Sequence, residues 1–171
     1  MAGVKIRNLG DEFSWGSIVE GATVENLADD VVAAEIKDVF ENRGFLHFSG
    51  VEPSARMHVA ISKVIGPFKE HPTSTTPRAY DEDTAPGVID MHYLPHPEDD
   101  DTGKVILGGR KRSNYSPWHF DHCYNDELNR AGVLRNLIPT PEDGRTGFAD
   151  GIELYQQLSP ELRRKIEDLS I

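Results

Sequence analysis

The stretch Ser116-Pro117-Trp118-His119-Phe120-Asp121-His122 sets an imidazole and a carboxylate two positions apart, interleaved with two aromatic residues. On a β-strand, side chains at i and i+2 share a face, so His119 and Asp121 would converge while Trp118 and Phe120 point the other way. A neutral imidazole beside a carboxylate is two-thirds of the facial triad of two histidines and one carboxylate that holds non-haem Fe(II). The competing reading is two polar residues that merely alternate, since His-x-Asp alone is a common pattern. On such a strand His122 falls on the face opposite Asp121, which suits packing rather than ligation. Cys123 shares the face of Asp121 and stands either near the pocket or as a buried structural thiol. Asn114 and Tyr115, just ahead of the strand, are placed to line a substrate site. His71, His92 and His96 sit in a loop-rich stretch and read as surface residues.

These residues need a scaffold, and the hydrophobic spacing supplies one. From Asp30 to Asn42, Val32, Ile36, Val39 and Phe40 recur on one helical face, and Arg43-Gly44 closes the helix with a glycine suited to a left-handed cap. Phe45 to Phe48 reads as a short buried strand. A second helix is expected near Pro53, with Met57, Ile61, Val64 and Ile65 inward and Gly66-Pro67 at its end. The first third thus reads strand, helix, strand, helix, with Trp15 and Phe48 as core candidates. From Glu70 to Lys104 the prolines at 72, 77, 86, 95 and 97 and the acidic run Glu98 to Asp101 predict a long loop, interrupted by one strand from Gly87 to Leu94. Strands are expected again at 118–124, 131–138 and 146–149, with a turn over Pro139 to Gly144. A closing helix carries Leu158, Leu162, Ile166 and Leu169 in one stripe, with Ser159 as N-cap and Pro160 at the first helical position.

Composition narrows the function classes. The 171 residues suit one domain, and 29 acidic against 18 basic residues give a net charge of -11. That balance argues against non-specific nucleic-acid binding, which needs clustered Lys and Arg. The basic run Arg110-Lys111-Arg112 is short and reads as a solvated loop. One cysteine, Cys123, excludes an internal disulfide and a Cys-rich zinc site. No apolar segment resembles a secretory leader or a membrane span, so no membrane partner is expected and the cytoplasm is the default compartment.

Taken together, the motifs resemble the family of taurine dioxygenase and 2,4-dichlorophenoxyacetate dioxygenase (TauD/TfdA), which are Fe(II)- and 2-oxoglutarate-dependent oxygenases. "ENRGFLHFSG" followed by "HVAISKVIGPFKEHP" looks like the family's early helix, strand and helix. "WHFD" looks like its W-H-x-D metal motif, and "PTPEDGRTGFADGIELYQQLSPELRRKIEDL" like its proline, glycine turn, Thr, F-x-D and helix. Thr146 follows Asp121 by 25 residues, as in the family. The resemblance implies an α+β, mainly β fold: a double-stranded β-helix (jelly roll) with flanking N-terminal helices. It implies that His119 and Asp121 are iron ligands and that Thr146 binds the distal carboxylate of the cosubstrate 2-oxoglutarate. It further implies hydroxylation of a small organic substrate, with succinate and CO₂ released. The chain departs from the family at Asp143-Gly144-Arg145, where two glycines are usual. In the family, the third metal ligand, a His, and the Arg that pairs with the cosubstrate carboxylate lie well beyond the stretch matched here, and this sequence ends before either could occur. The expectation is therefore a single domain over 1–171 that is incomplete at its C-terminus. The alternative is a truncated, non-catalytic paralogue that docks on a full-length homologue; homo-oligomerisation stays open.

Overall fold

The computed structural model describes residues 3–69, 87–89, 105–112, 117–123, 126–127, 129–139, 141 and 144–169. Its centre is a three-stranded mixed sheet of β1 (Lys5–Asn8), β2 (Ser17–Glu20) and β3 (Leu46–Ser49), in the order β1-β2-β3. β1 pairs antiparallel with β2, register Ile6 to Val19, and β3 pairs parallel with β2, register Val19 to Phe48. A parallel neighbour requires a crossover, and two helices make it: α1 (Val24–Leu27) and α2 (Asp30–Arg43). α3 (Ala55–Ile65) follows β3.

Each helix begins where a side chain can take up an orphan amide. Thr23 and Asn26 form a reciprocal capping box on α1, Asp29 accepts from Val31 and Val32, and Ser54 accepts from Met57. α2 ends as expected: Gly44 adopts φ 70°, a left-handed conformation cheap for glycine, and its amide reaches the Phe40 carbonyl at 2.8 Å. The apolar stripes meet over the sheet. Val19 and Ile36 are fully buried, with Met57, Ile61, Val64 and Ile65 of α3 around them and Val32, Phe40, Leu46 and Phe48 at the margin. β3 is half-buried with His47 exposed, not the fully buried strand expected, because it lies at the edge of the sheet.

Beyond α3 the fold differs from expectation in several places. A hairpin joins β4 (Val105–Leu107) to β5 (Arg110–Arg112), so the basic run forms a strand and not a loop. The strand expected from Gly87 to Leu94 is absent over residues 87–89, and the remainder lies outside the described residues. The described parts of 118–124, 131–138 and 146–149 are turns or irregular segments. Alternating side chains favour a strand only where a neighbouring strand completes the ladder, and none lies beside these segments among the described residues. The described residues therefore hold a small mixed sheet, a hairpin and five helices, and no jelly roll. The end is helical as expected, split into α4 (Gly151–Gln157, capped by Asp150) and α5 (Pro160–Ile166, capped by Ser159). The stripe of Leu162, Ile166 and Leu169 is exposed, however, not packed inward. None of the described helices is long and apolar enough to cross a membrane.

The core makes a direct prediction. Ile36→Ala leaves a hole under β2 and should cost about 3 kcal/mol in urea unfolding, whereas Val31→Ala on the exposed face of α2 should change stability by less than about 0.5 kcal/mol. Equal effects at the two positions would mean that α2 does not pack as described.

Candidate functional site

His119 and Asp121 do converge, although by a different route from the one expected. Residues 117–120 are irregular and 121–123 form a turn, so no strand alternation brings the two together. The loop itself does: His119 Nε2 lies 3.1 Å from Asp121 Oδ1, and both side chains are largely exposed. His119 Nδ1 lies 2.7 Å from the Pro117 carbonyl oxygen. A carbonyl and a carboxylate both only accept, so Nδ1 and Nε2 both donate, as they do in the imidazolium, and a metal ion would take the place of the Nε2 proton. That bond to Pro117 raises the affinity of the ring for a proton above the ordinary value, and the Asp121 charge adds to it against some desolvation. A position that favours a proton beside a carboxylate also favours a divalent cation, which competes for the same lone pair.

This donor set fits two positions of a metal site. The ring is held through Nδ1 by a backbone acceptor, the usual way proteins orient a metal-binding imidazole, and an anionic oxygen stands next to it. Among the described residues, no group of three His, Cys, Asp or Glu side chains gathers in one place.

The remaining expected site residues divide. Thr146 is exposed, on an irregular segment beside Gly147. A Cβ built on Gly147 would sit 2.6 Å from the Trp118 indole, so the tryptophan of the W-H-F-D stretch lies directly on the backbone next to Thr146. The two segments thus meet at Trp118 and Gly147. Asn114 and Tyr115 lie outside the described residues, as do His71, His92 and His96. Cys123 is exposed, so the buried-thiol reading is wrong; it sits on a turn that leaves it in solvent. His122 is half-buried at φ 59°, in the left-handed region, so the face assigned to it by strand alternation does not apply.

Several contacts hold these segments on the scaffold. Phe148 packs against Phe45 with the rings tilted by 47° and their centroids 4.7 Å apart, and Phe45 meets Trp15 edge-on at 5.9 Å. Ser14 donates to Glu153, tying α4 to the β1–β2 connection. Arg130 pairs with Glu41 of α2, and Phe120 lines a shallow groove with Phe40, Glu41, Gly44, Asn129 and Arg130. His58 of α3 lies 3.0 Å through Nε2 from the Val133 carbonyl. Neither His58 nor Phe148 was marked by the sequence pattern as a positioning residue. Phe148 lies inside the F-x-D stretch and was legible there; His58 has no signal beyond its place on a helix.

The contact at Gly147 is testable. Gly147→Ala should displace the Trp118 ring, seen as a moved indole Nε1–H resonance, with little loss of stability because the ring is 68% exposed and free to swing. An unmoved resonance would mean that the indole does not rest on residue 147.

Comparison with known proteins gives this geometry a context. The chain matches the family described as "Taurine catabolism dioxygenase TauD, TfdA family" over residues 5–171. It is 26% identical over 158 residues to pentalenolactone F synthase of Streptomyces arenae, covering 91% of this chain and 49% of that protein. The chain therefore spans about half the length of that curated relative. No solved structure matches it. A family match running from β1 through α5 takes in the sheet, the His119–Asp121 turn and Thr146 together, and the chain belongs to the TauD/TfdA family.

Proposed function

We propose that this chain carries the metal- and cosubstrate-binding front portion of an Fe(II)- and 2-oxoglutarate-dependent oxygenase acting on a small organic substrate. The observation that carries this reading is the His119–Asp121 pair, 3.1 Å apart, with the ring held by the Pro117 carbonyl. Membership of the TauD/TfdA family supports it, as does the resemblance of the relative's sequence over nearly all of this chain. When bound, iron and 2-oxoglutarate supply the oxidising chemistry, in which the cosubstrate is decarboxylated to succinate and CO₂. The chain's own residues bind and orient. His119 would offer Nε2 to the ion once its proton is displaced, while Pro117 holds the proton on Nδ1. Asp121 supplies anionic oxygen, which offsets the positive charge of a divalent ion. Thr146 presents an exposed hydroxyl able to donate to a carboxylate oxygen of 2-oxoglutarate, with Trp118 closing over the adjacent backbone.

A second reading is favoured by a separate observation. Leu137, Ile138, Ile152, Leu154, Leu162, Ile166 and Leu169 are all exposed, which is a large apolar presence for a freely soluble surface. On that reading the chain is a truncated, non-catalytic paralogue that binds a full-length homologue through such exposed apolar residues.

Metal binding separates the two. Under the oxygenase reading, Co(II) as an oxygen-insensitive probe should bind and perturb the His119 ring resonances, and His119→Ala and Asp121→Ala should each weaken it by about tenfold or more. Thr146→Val should weaken 2-oxoglutarate binding to the Co(II)-loaded chain and leave Co(II) affinity unchanged. Co(II) affinity indifferent to both His119 and Asp121 would remove the oxygenase reading. A stable complex with a homologue, together with no specific Co(II) binding, would favour the paralogue.

A further inference from the structure

The segment 131–135 lies in sequence between the His119–Asp121 turn and Thr146, and it runs over the core. Ala131 and Val133 pack against the cluster that includes Met57 and Ile61. Its polar attachment is to α3. His58 Nε2 lies 3.0 Å from the Val133 carbonyl, which can only accept, so Nε2 carries the proton. In the neutral ring Nδ1 is then a bare lone pair. Among the described residues that buried atom has no hydrogen-bond partner, and neither has the buried Nη1 of Arg135, two residues along the same segment.

This arrangement suits a neutral imidazole and opposes a charged one. A proton on Nδ1 would create a buried N–H with no acceptor and would place a second positive charge near the Arg135 guanidinium. Among the described residues no carboxylate bonds to Nδ1. The helices packed against α3 carry Glu25 on α1 and Asp30, Glu35, Lys37, Asp38, Glu41 and Arg43 on α2, and α3 itself carries Arg56 and Lys63; none of these bonds to the His58 ring. Burial, first, and the Arg135 charge lower the proton affinity of His58 below the ordinary value of 6.5, and the bond to Val133 only partly opposes them.

We propose that His58 is a pH-operated latch that holds the 131–135 segment, and through it the His119–Asp121 turn and Thr146, onto α3. The sign follows from linkage. The docked ring binds a proton less well than the free ring, so docking is at full strength above 6.5 and weakens as pH falls below it. The weakening stops where the docked ring itself protonates. At one pH unit below the free value, the docking equilibrium loses at most about tenfold. The neighbouring attachments, the Arg130–Glu41 ion pair and the Lys69 bond to the Glu127 carbonyl, contain no imidazole.

The test is an NMR titration of the chain from about pH 8 to pH 5.5, following the His58 ring nitrogens and the Val133 methyl groups. The expected result is a His58 midpoint below 6.5, with the Val133 methyls moving toward exposed values over the window in which docking weakens. His58→Gln keeps a donor for the Val133 carbonyl and cannot titrate, so its Val133 signals should stay constant. Arg135→Gln removes the opposing charge and should reduce the pH response of Val133 relative to the parent; it serves equally if the His58 variant does not fold. A His58 that titrates at or above 6.5 while Val133 stays still would overturn the latch. So would a Val133 response that persists undiminished in either variant.

Discussion

Strand β2 is the constraint on which the rest of the described structure rests. It is flanked on both edges, antiparallel by β1 and parallel by β3, and its central Val19 is fully buried. A parallel neighbour cannot be reached by a tight turn, so the chain must cross over the sheet, and α1 and α2 are that crossover. Once they are there, Ile36 covers Val19 and α3 completes the cover with Met57, Ile61, Val64 and Ile65. Arg43, at the end of α2, secures the other end of β2: its guanidinium donates to the Gly16 carbonyl at 3.0 Å, and its own carbonyl accepts from the Gly16 amide at 2.8 Å. The N-terminal part is thus closed by backbone pairing and burial together.

The candidate site has no such enclosure and borrows its order from that core through three kinds of contact. The Phe45–Phe148 pair brings the segment of Thr146 to the end of the sheet, an interaction worth about 1 kcal/mol beyond simple burial. The bond from His58 to Val133 is of similar size when formed in a half-buried setting. The Arg130–Glu41 pair is largely exposed and contributes less, since solvent and salt screen it. The His119–Asp121 pair, exposed itself, adds little to stability for the same reason. Its value is chemical: an imidazole held through Nδ1 by a backbone acceptor, and a carboxylate within reach of the same cation.

The closing helices show the opposite balance. α4 and α5 contain seven residues each and bury none, so tertiary burial contributes little to them. Helices this short are marginal by themselves, and local devices supply the order. Asp150 and Ser159 cap them, Lys165 pairs with Glu161 one turn away at 2.7 Å, and the Arg163 guanidinium lies over the Tyr155 ring while bonding its carbonyl. The apolar residues they display remain on the surface of the described structure.

The features that could be read from the residues alone were local and repetitive. The helix over 30–43 with its Gly44 stop, the inward stripe of α3, the Ser159-Pro160 start of α5 and the family to which the chain belongs were all legible, because each depends on near neighbours or on motif order. The convergence of His119 with Asp121 was legible too, although the strand invoked for it was not there; a two-residue spacing brings side chains together in a turn as well. Tertiary structure decided the rest. Alternation at 131–138 and 146–149 is a preference for two unlike faces, and it becomes a strand only when another strand offers amides and carbonyls to pair with. Whether a stripe is buried was also beyond local reading: the patterns of α3 and α5 are alike on paper, yet α3 meets a sheet and α5 meets solvent. The same holds for His58, an ordinary helix residue until Val133 and Arg135, more than seventy positions away, give its two nitrogens different fates.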